Sequence, residues 1–244
     1  MAKNAPLGLA GLVLTAASIV LLLFIILAGV SDTAPLKLTY FLRADTEGIT
    51  GARDTTQWTF FYFCGRDNKD CSHARPAPAF GRAWDSNPDN APSQLVGGHG
   101  GDTTSTKFFY LWRFAWVMIL ITLFFEVLAF FSGFLACCGR LGAAISGLVS
   151  LVALFFSSAA MSLMTATFVL ARDAFRSDNR TAQIGTYAFG FAWGSWAALF
   201  LATMLFCIGL RGDKRSPGGH SWGRRRRSVR SHTYDGRRVK DDYS

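Results

Sequence analysis

Four almost unbroken apolar runs govern what this chain can fold into. They are Leu7–Val30, Phe114–Cys138, Leu141–Ala171 and Ile184–Leu210, of 24, 25, 31 and 27 residues, and they hold a single charge, Glu126. A bilayer core ~30 Å thick is crossed by about 20 residues at ~1.5 Å rise, so each run is long enough to span it. Hydrocarbon offers the backbone no hydrogen-bonding partner, and a helix satisfies its own. Only 17% of the residues are charged, against ~25% in an ordinary soluble domain. A soluble globular domain, a disordered chain and a free nucleic-acid binder are therefore excluded. The expected fold class is an all-α membrane protein, a four-transmembrane-helix bundle. The first run also resembles a signal peptide in having Ala28-Gly29 near its end. Signal cores are only ~7–15 residues, however, and the basic segment here is Lys3 alone, which favours a retained helix.

Four spans place both termini on one side. The tail from Arg211 carries 11 of the 25 Lys and Arg residues against 4 acids, eight of the basic ones within its first twenty positions. The long connection Ser31–Phe109 carries 8 basic and 9 acidic residues, and loops longer than ~60 residues weigh little in the positive-inside rule. Arg172, Arg176 and Arg180 in the third connection pull mildly the other way. The expected layout of this multi-pass membrane protein is a cytoplasmic N-terminus (1–6) and spans at 7–30, 112–138, 143–171 and 184–210. The remaining segments are an extracellular loop (31–111), a cytoplasmic turn (139–142), a short extracellular loop (172–183) and a basic cytoplasmic tail (211–244).

Cysteine usage fits that layout. Cys64 and Cys71 are the only cysteines of the outer loop, and an extracellular pair is normally oxidised to a disulfide. Cys137 and Cys138 lie at the inner end of span two and are candidates for S-palmitoylation, or else small residues at a helix contact. In the outer loop, Leu36–Leu42 largely alternates and reads as a strand. Thr55–Phe63 reads as a second strand, too aromatic to be left bare in water. Arg75–Thr104 has four of the seven prolines and reads as irregular, with Gly97–Gly101 as a flexible linker. A small extracellular β-sheet standing on the bundle is the simplest arrangement.

These residues carry a resemblance. Four spans, a first outer loop with an aromatic segment and two close cysteines, and a short second outer loop resemble the claudin-like superfamily. The chain is more similar to the fungal four-span family that includes PalI and the eisosome Sur-seven proteins. The matching stretch is Trp58-Thr59-Phe60-Phe61-Tyr62-Phe63-Cys64-Gly65 followed by Cys71, with Gly190–Trp196 in span four and the basic Arg224–Arg227. Trp58 stands six positions before the first cysteine, further than in claudins, which favours the fungal branch. The resemblance implies an organiser of static plasma-membrane compartments. Its associated roles would be cortical organisation, endocytosis, cell wall and sporulation, with cortical scaffold proteins as partners; the PalI branch instead implies ambient-pH signalling.

The residues suggest no catalysis. His73, His99, His220 and His232 all lie in loop or tail without ligand-like neighbours at short spacing, so neither an enzyme, a metal site nor a cofactor is expected. Glu126 is the sharpest intramembrane feature. An acid at mid-span costs roughly 2.5–3.5 kcal/mol on insertion scales and should face the bundle interior. There it either hydrogen-bonds Ser or Thr on a neighbouring helix or forms an ion-linked site of a channel or transporter subunit. Small residues mark helix contacts in lipid. Gly190, Gly194, Ala198 and Ala202 form one stripe, and Ala143, Gly147, Ser150, Ala153, Ser157 and Ala160 another. Both serve either the bundle itself or a homo-oligomer. Phe108, Phe109, Tyr110 and Trp112, with Arg113, read as a membrane-surface belt.

Asn179-Arg180-Thr181 is a glycosylation sequon. Arg224, Arg225, Arg226, Arg227 and Arg230 lie close to the membrane, where each basic group contributes ~1 kcal/mol toward anionic lipids. Ser228 follows Arg225 by three positions and Ser231 directly follows Arg230, and phosphorylation there would weaken that attraction.

Overall fold

The computed structural model describes residues 5–31, 33–136 and 140–211. Cys137 and Cys138, the arginines 224–227 and 230, and Ser228 and Ser231 lie outside the described residues. Four helices follow the four apolar runs: α1 (Ala5–Ile26), α2 (Thr106–Ala136), α3 (Arg140–Ser177) and α4 (Thr186–Arg211). All four are long and apolar enough to cross a membrane. α2 lies chiefly against α3 and α1 chiefly against α4, with α3–α4 and α1–α2 contacts closing the bundle. Large apolar side chains such as Leu9, Phe124, Phe131, Leu148 and Phe155 remain exposed on its outside, as lipid contact requires.

The α3 stripe faces inward along its whole length: Ala143, Gly147, Ser150, Ala153, Ser157 and Ala160 are all buried. The α4 stripe behaves differently. Four-residue steps on a 3.6-residue helix drift ~40° each, so the stripe turns from exposed Gly190, through half-buried Gly194 against Leu21 of α1, to fully buried Ala202.

Four short strands, β1 (Leu42–Asp45), β2 (Thr55–Trp58), β3 (Phe63–Cys64) and β4 (Ala182–Ile184), form one antiparallel sheet in the order β3-β2-β1-β4. This sheet departs from the sequence expectation at three places. The expected strand at Leu36–Leu42 is displaced: Leu36–Leu38 is a 3-10 turn, and extended pairing begins only at Leu42. The expected strand Thr55–Phe63 breaks after Trp58, because Thr59–Tyr62 makes a tight turn, with the Thr59 amide donating to the Tyr62 carbonyl (2.9 Å). The third connection, expected as plain loop, contributes β4, whose Gln183 pairs with Arg43.

α3 explains how the sheet is held. At ~1.5 Å per residue its 38 residues reach about 57 Å, well beyond a bilayer core, so its outer turns become the post on which the sheet rests. Strand alternation turns Leu42 and Ala44 of β1 and Thr56 and Trp58 of β2 toward that post, while Arg43, Asp45 and Thr55 point the other way. Phe168 and Phe175 of α3 pack into an aromatic cluster: Phe41 stacks on Phe168 at 4.9 Å, Trp112 meets Phe168 at 5.0 Å, and Trp58 lies 5.7 Å from Phe175.

Phe108 and Trp112 belong to this cluster and are buried, whereas Tyr110 is half exposed, so half of the expected belt faces inward. Those two residues lie on the side of α2 that meets α3, where aromatic packing is available. Gly97–Gly101 is also not a free linker. His99 exchanges backbone hydrogen bonds with Thr103 and Thr104, and a Cβ at Gly97 would run into Ser105.

Candidate functional site

The outer cap is built from the two motifs that stand out in the sequence, and each has a defined mechanical role. Trp58 is buried at the centre of the aromatic cluster, and its Nε1 donates to the Phe80 carbonyl at 3.2 Å, satisfying the one polar group of the indole. Phe80 is held on a 3-10 turn over Phe80–Ala83, at which a Cβ on Gly81 would run into the Thr103 carbonyl; only glycine allows that approach.

Cys64 and Cys71 form a disulfide. Inside the loop it closes, the Gly65 amide donates to the Lys69 carbonyl at 2.7 Å, and the Gly65 Cα lies so close to that carbonyl that a Cβ would sit 3.3 Å from it. The loop carries Asn68 over the sheet. Asn68 is buried with φ +53°, a left-handed conformation that asparagine adopts more readily than most residues. Its amide donates to Gln57 Oε1 (3.1 Å), and its Nδ2 donates to the Leu36 (2.9 Å) and Thr39 (3.0 Å) carbonyls. The disulfide loop is thus a clip that fastens the end of the α1–β1 connection to β2. Nothing in the local string Arg66-Asp67-Asn68 marks Asn68 for that part, because all three acceptors come from elsewhere in the chain.

Beyond the clip, the outward side of the sheet carries an open cleft of about 580 Å³. Arg43, Arg66 and Arg176 line it together with Asp45, Glu47 and Asp54. No ion pair joins any of these six among the described residues; the pair that does form is Arg172–Asp173 at 2.7 Å. The arrangement is a charged, water-facing surface suited to polar contacts, with no nucleophile paired to a base. Among the described residues no group of three or more His, Cys, Asp or Glu is placed to hold a metal ion.

Within the bundle, Glu126 of α2 is fully buried. Ser18 of α1 donates to Glu126 Oε1 at 2.9 Å, and Ser195 Oγ of α4 lies 2.9 Å from Ser18 Oγ. Three helices are therefore joined through one polar chain near mid-span. Glu126 Oε2 has no hydrogen-bond partner, nor has the buried Ser157 Oγ of α3.

Asn179 lies in an exposed turn two positions beyond the end of α3, with φ +59°. Arg180 ties that turn to the outer loop by donating to the Glu47 (2.8 Å) and Asn90 (2.9 Å) carbonyls. Because α3 overshoots the bilayer, the sequon stands at the level of the sheet.

Four membrane-length helices carrying a disulfide-clipped antiparallel sheet between spans one and two, completed by a strand between spans three and four, define a four-span membrane protein with one folded cap. Comparison with known proteins narrows the class. The model of the SUR7/PalI family matches residues 7–205, and the chain belongs to that family. It is similar to the SUR7 family protein FMP45 of Saccharomyces cerevisiae, 36% identical over 195 residues that cover 74% of this chain and 61% of that protein. The Protein SUR7 of Candida albicans is 34% identical over 198 residues, covering 80% of this chain and 70% of that protein. A relative described as an uncharacterized plasma membrane protein, YNL194C of Saccharomyces cerevisiae, is 30% identical over 199 residues, covering 79% and 64%. The chain thus spans about two thirds of the length of these relatives.

Proposed function

We propose that this protein is a non-enzymatic tetraspan organiser of eisosome-type compartments in the plasma membrane, with both termini in the cytoplasm. The observation that carries the reading is the family match over residues 7–205, which takes in the whole cap-bearing bundle, together with the plasma-membrane description of one relative. The geometry supports it. The cap presents an open, polar cleft on its outward side, suited to holding neighbours rather than turning over a substrate. In this reading the cap meets cell wall or neighbouring molecules, and the basic tail meets anionic lipid and cortical scaffold proteins. Acylation at Cys137 and Cys138 would favour ordered lipid. Links to endocytosis and sporulation, self-association into a homo-oligomer and glycosylation of Asn179 belong to the same proposal.

The deciding experiment is a fluorescently tagged copy in a fungal cell, followed by recovery after photobleaching. Stable cortical patches with little recovery support an organiser. A diffuse, fast-recovering membrane signal overturns it in favour of an accessory role in ambient-pH signalling, the PalI side of the family. One observation favours a second reading, a channel or transporter subunit: Glu126 Oε2 is buried without a hydrogen-bond partner. Proteoliposome flux that Glu126→Gln abolishes would support that reading, and equal flux with and without the protein would remove it.

A further inference from the structure

Three arginines converge on one small cavity at the foot of the cap. Arg75 and Arg82 come from the Pro-rich loop and Arg113 from α2, and together with Pro76, Pro78 and Phe109 they line a pocket of about 190 Å³. No acidic residue lines it. All three arginines are exposed, and none takes part in an ion pair among the described residues. The Arg113 guanidinium lies 4.1 Å from the centroid of the Phe109 ring, which fixes its head at the pocket wall. Three like charges around one opening repel each other, and a guanidinium is built to take phosphate or carboxylate oxygens in pairs.

The height of the pocket follows from the bundle. The Ser18–Glu126 hydrogen bond sets α1 and α2 level at those residues. α1 runs outward from Ser18 for eight more residues to Ile26, so the outer end of α1 is level with about residue 118 of the antiparallel α2. The membrane-length part of α1, Pro6–Ile26, is 21 residues, about 31 Å, which matches a bilayer core. Arg113 is five residues further out than position 118, ~7 Å beyond the hydrocarbon. That is the depth of the lipid headgroups, a layer roughly 5–7 Å thick on each side.

We propose that Arg75, Arg82 and Arg113 form a binding site for the phosphate group of an anionic phospholipid in the leaflet on the cap side, its acyl chains lying along α2. The ligand chemistry is a phosphodiester with net negative charge. The pocket opens at headgroup height, its wall is cationic without counter-charge, and its apolar rim of proline and phenylalanine suits the glycerol end of a lipid. A bound lipid would tie the cap to the membrane surface at a point far from the tail.

The test uses the full chain in nanodiscs of phosphatidylcholine with a few per cent phosphatidylglycerol, extracted and weighed by native mass spectrometry for retained phosphatidylglycerol. Arg224–Arg227→Ala serves as the background throughout, which weakens the tail's pull on anionic lipid and keeps its remainder the same in every variant compared. Each basic group near a membrane surface contributes ~1 kcal/mol, so Arg75→Gln or Arg82→Gln should lower retention about fivefold. The triple variant with Arg113→Gln should lower it about a hundredfold. Arg75 and Arg82 are exposed loop positions whose single replacement leaves the core untouched, and an unchanged melting temperature verifies that. Retention that survives millimolar inorganic phosphate supports a lipid headgroup; displacement by inorganic phosphate overturns the lipid assignment. Equal retention by the parent and the triple variant overturns the site altogether.

Discussion

Asn68→Ala is the most informative perturbation of the cap. The side chain donates two hydrogen bonds to carbonyls of the Leu36–Thr39 segment, from a position 1% exposed. Each neutral hydrogen bond contributes about 1 kcal/mol net. Leu36 O still accepts from the Thr39 amide (3.0 Å), whereas Thr39 O loses its side-chain donor. Alanine at φ +53° adds about 1 kcal/mol of backbone strain that asparagine largely avoids. The total is about 3 kcal/mol, most of it local, because β1 remains paired on both sides. Local opening of the Thr39–Phe41 segment should therefore rise about a hundredfold.

Hydrogen exchange followed by mass spectrometry on the purified chain in detergent reads this directly, through the Thr39 and Phe41 amides that bond to Leu36 O and Trp58 O. Asn68→Gly separates the two contributions. It loses the same hydrogen bonds but accepts a left-handed backbone, and should cost nearer ~2 kcal/mol. Unchanged exchange in Asn68→Ala would refute the clip. Equal exchange in the alanine and glycine variants would refute the backbone part of the reasoning.

Four further outcomes are expected. Trp58→Ala should destabilise the cap by about 3–5 kcal/mol through the cavity it leaves, while Trp58→Phe should lose nearer ~1 kcal/mol, measured by near-ultraviolet circular dichroism on heating. Replacing Cys64 and Cys71 by serine removes a closed loop of seven-residue separation, worth about 2.5 kcal/mol on the chain-entropy account, and should raise trypsin cleavage after Arg66 and Lys69. Ser18→Ala should weaken the bundle by about 0.6–1.7 kcal/mol in steric-trapping unfolding, while Glu126→Gln, which retains an acceptor for the Ser18 hydroxyl, should cost less. Arg224–Arg227→Ala should reduce binding of a tail peptide to phosphatidylserine liposomes, with the difference shrinking as salt rises; equal binding by both peptides would count against the lipid-contacting tail.

The spans were legible because each carries its signal in its own composition, with no dependence on what it packs against. That the small residues of the α3 stripe share one helix face was legible for the same reason, from their three- and four-residue spacing, whereas the inward aim of that face was decided by packing. The outer loop was harder. Leu36–Leu42 alternates as a strand should, yet its first residues make a turn, because Asn68 captures two of their carbonyls from 29 and 32 positions away. Phe108 and Trp112 look like interface aromatics on α2 alone, and only the overshoot of α3 supplies the Phe168 surface that draws Trp112 inward.

The amino-acid sequence by itself determined that the chain lives in a bilayer, crosses it four times and carries one oxidisable cysteine pair in its long connection. Transfer of apolar residues from water to lipid is local and nearly additive, so it can be read segment by segment. Tertiary structure alone decided which helices Glu126 bridges, that Ala182–Ile184 completes the sheet, and that Arg75, Arg82 and Arg113 share a pocket. Those are meetings of residues far apart in the chain, and their energy exists only once the helices have fixed the distances between them.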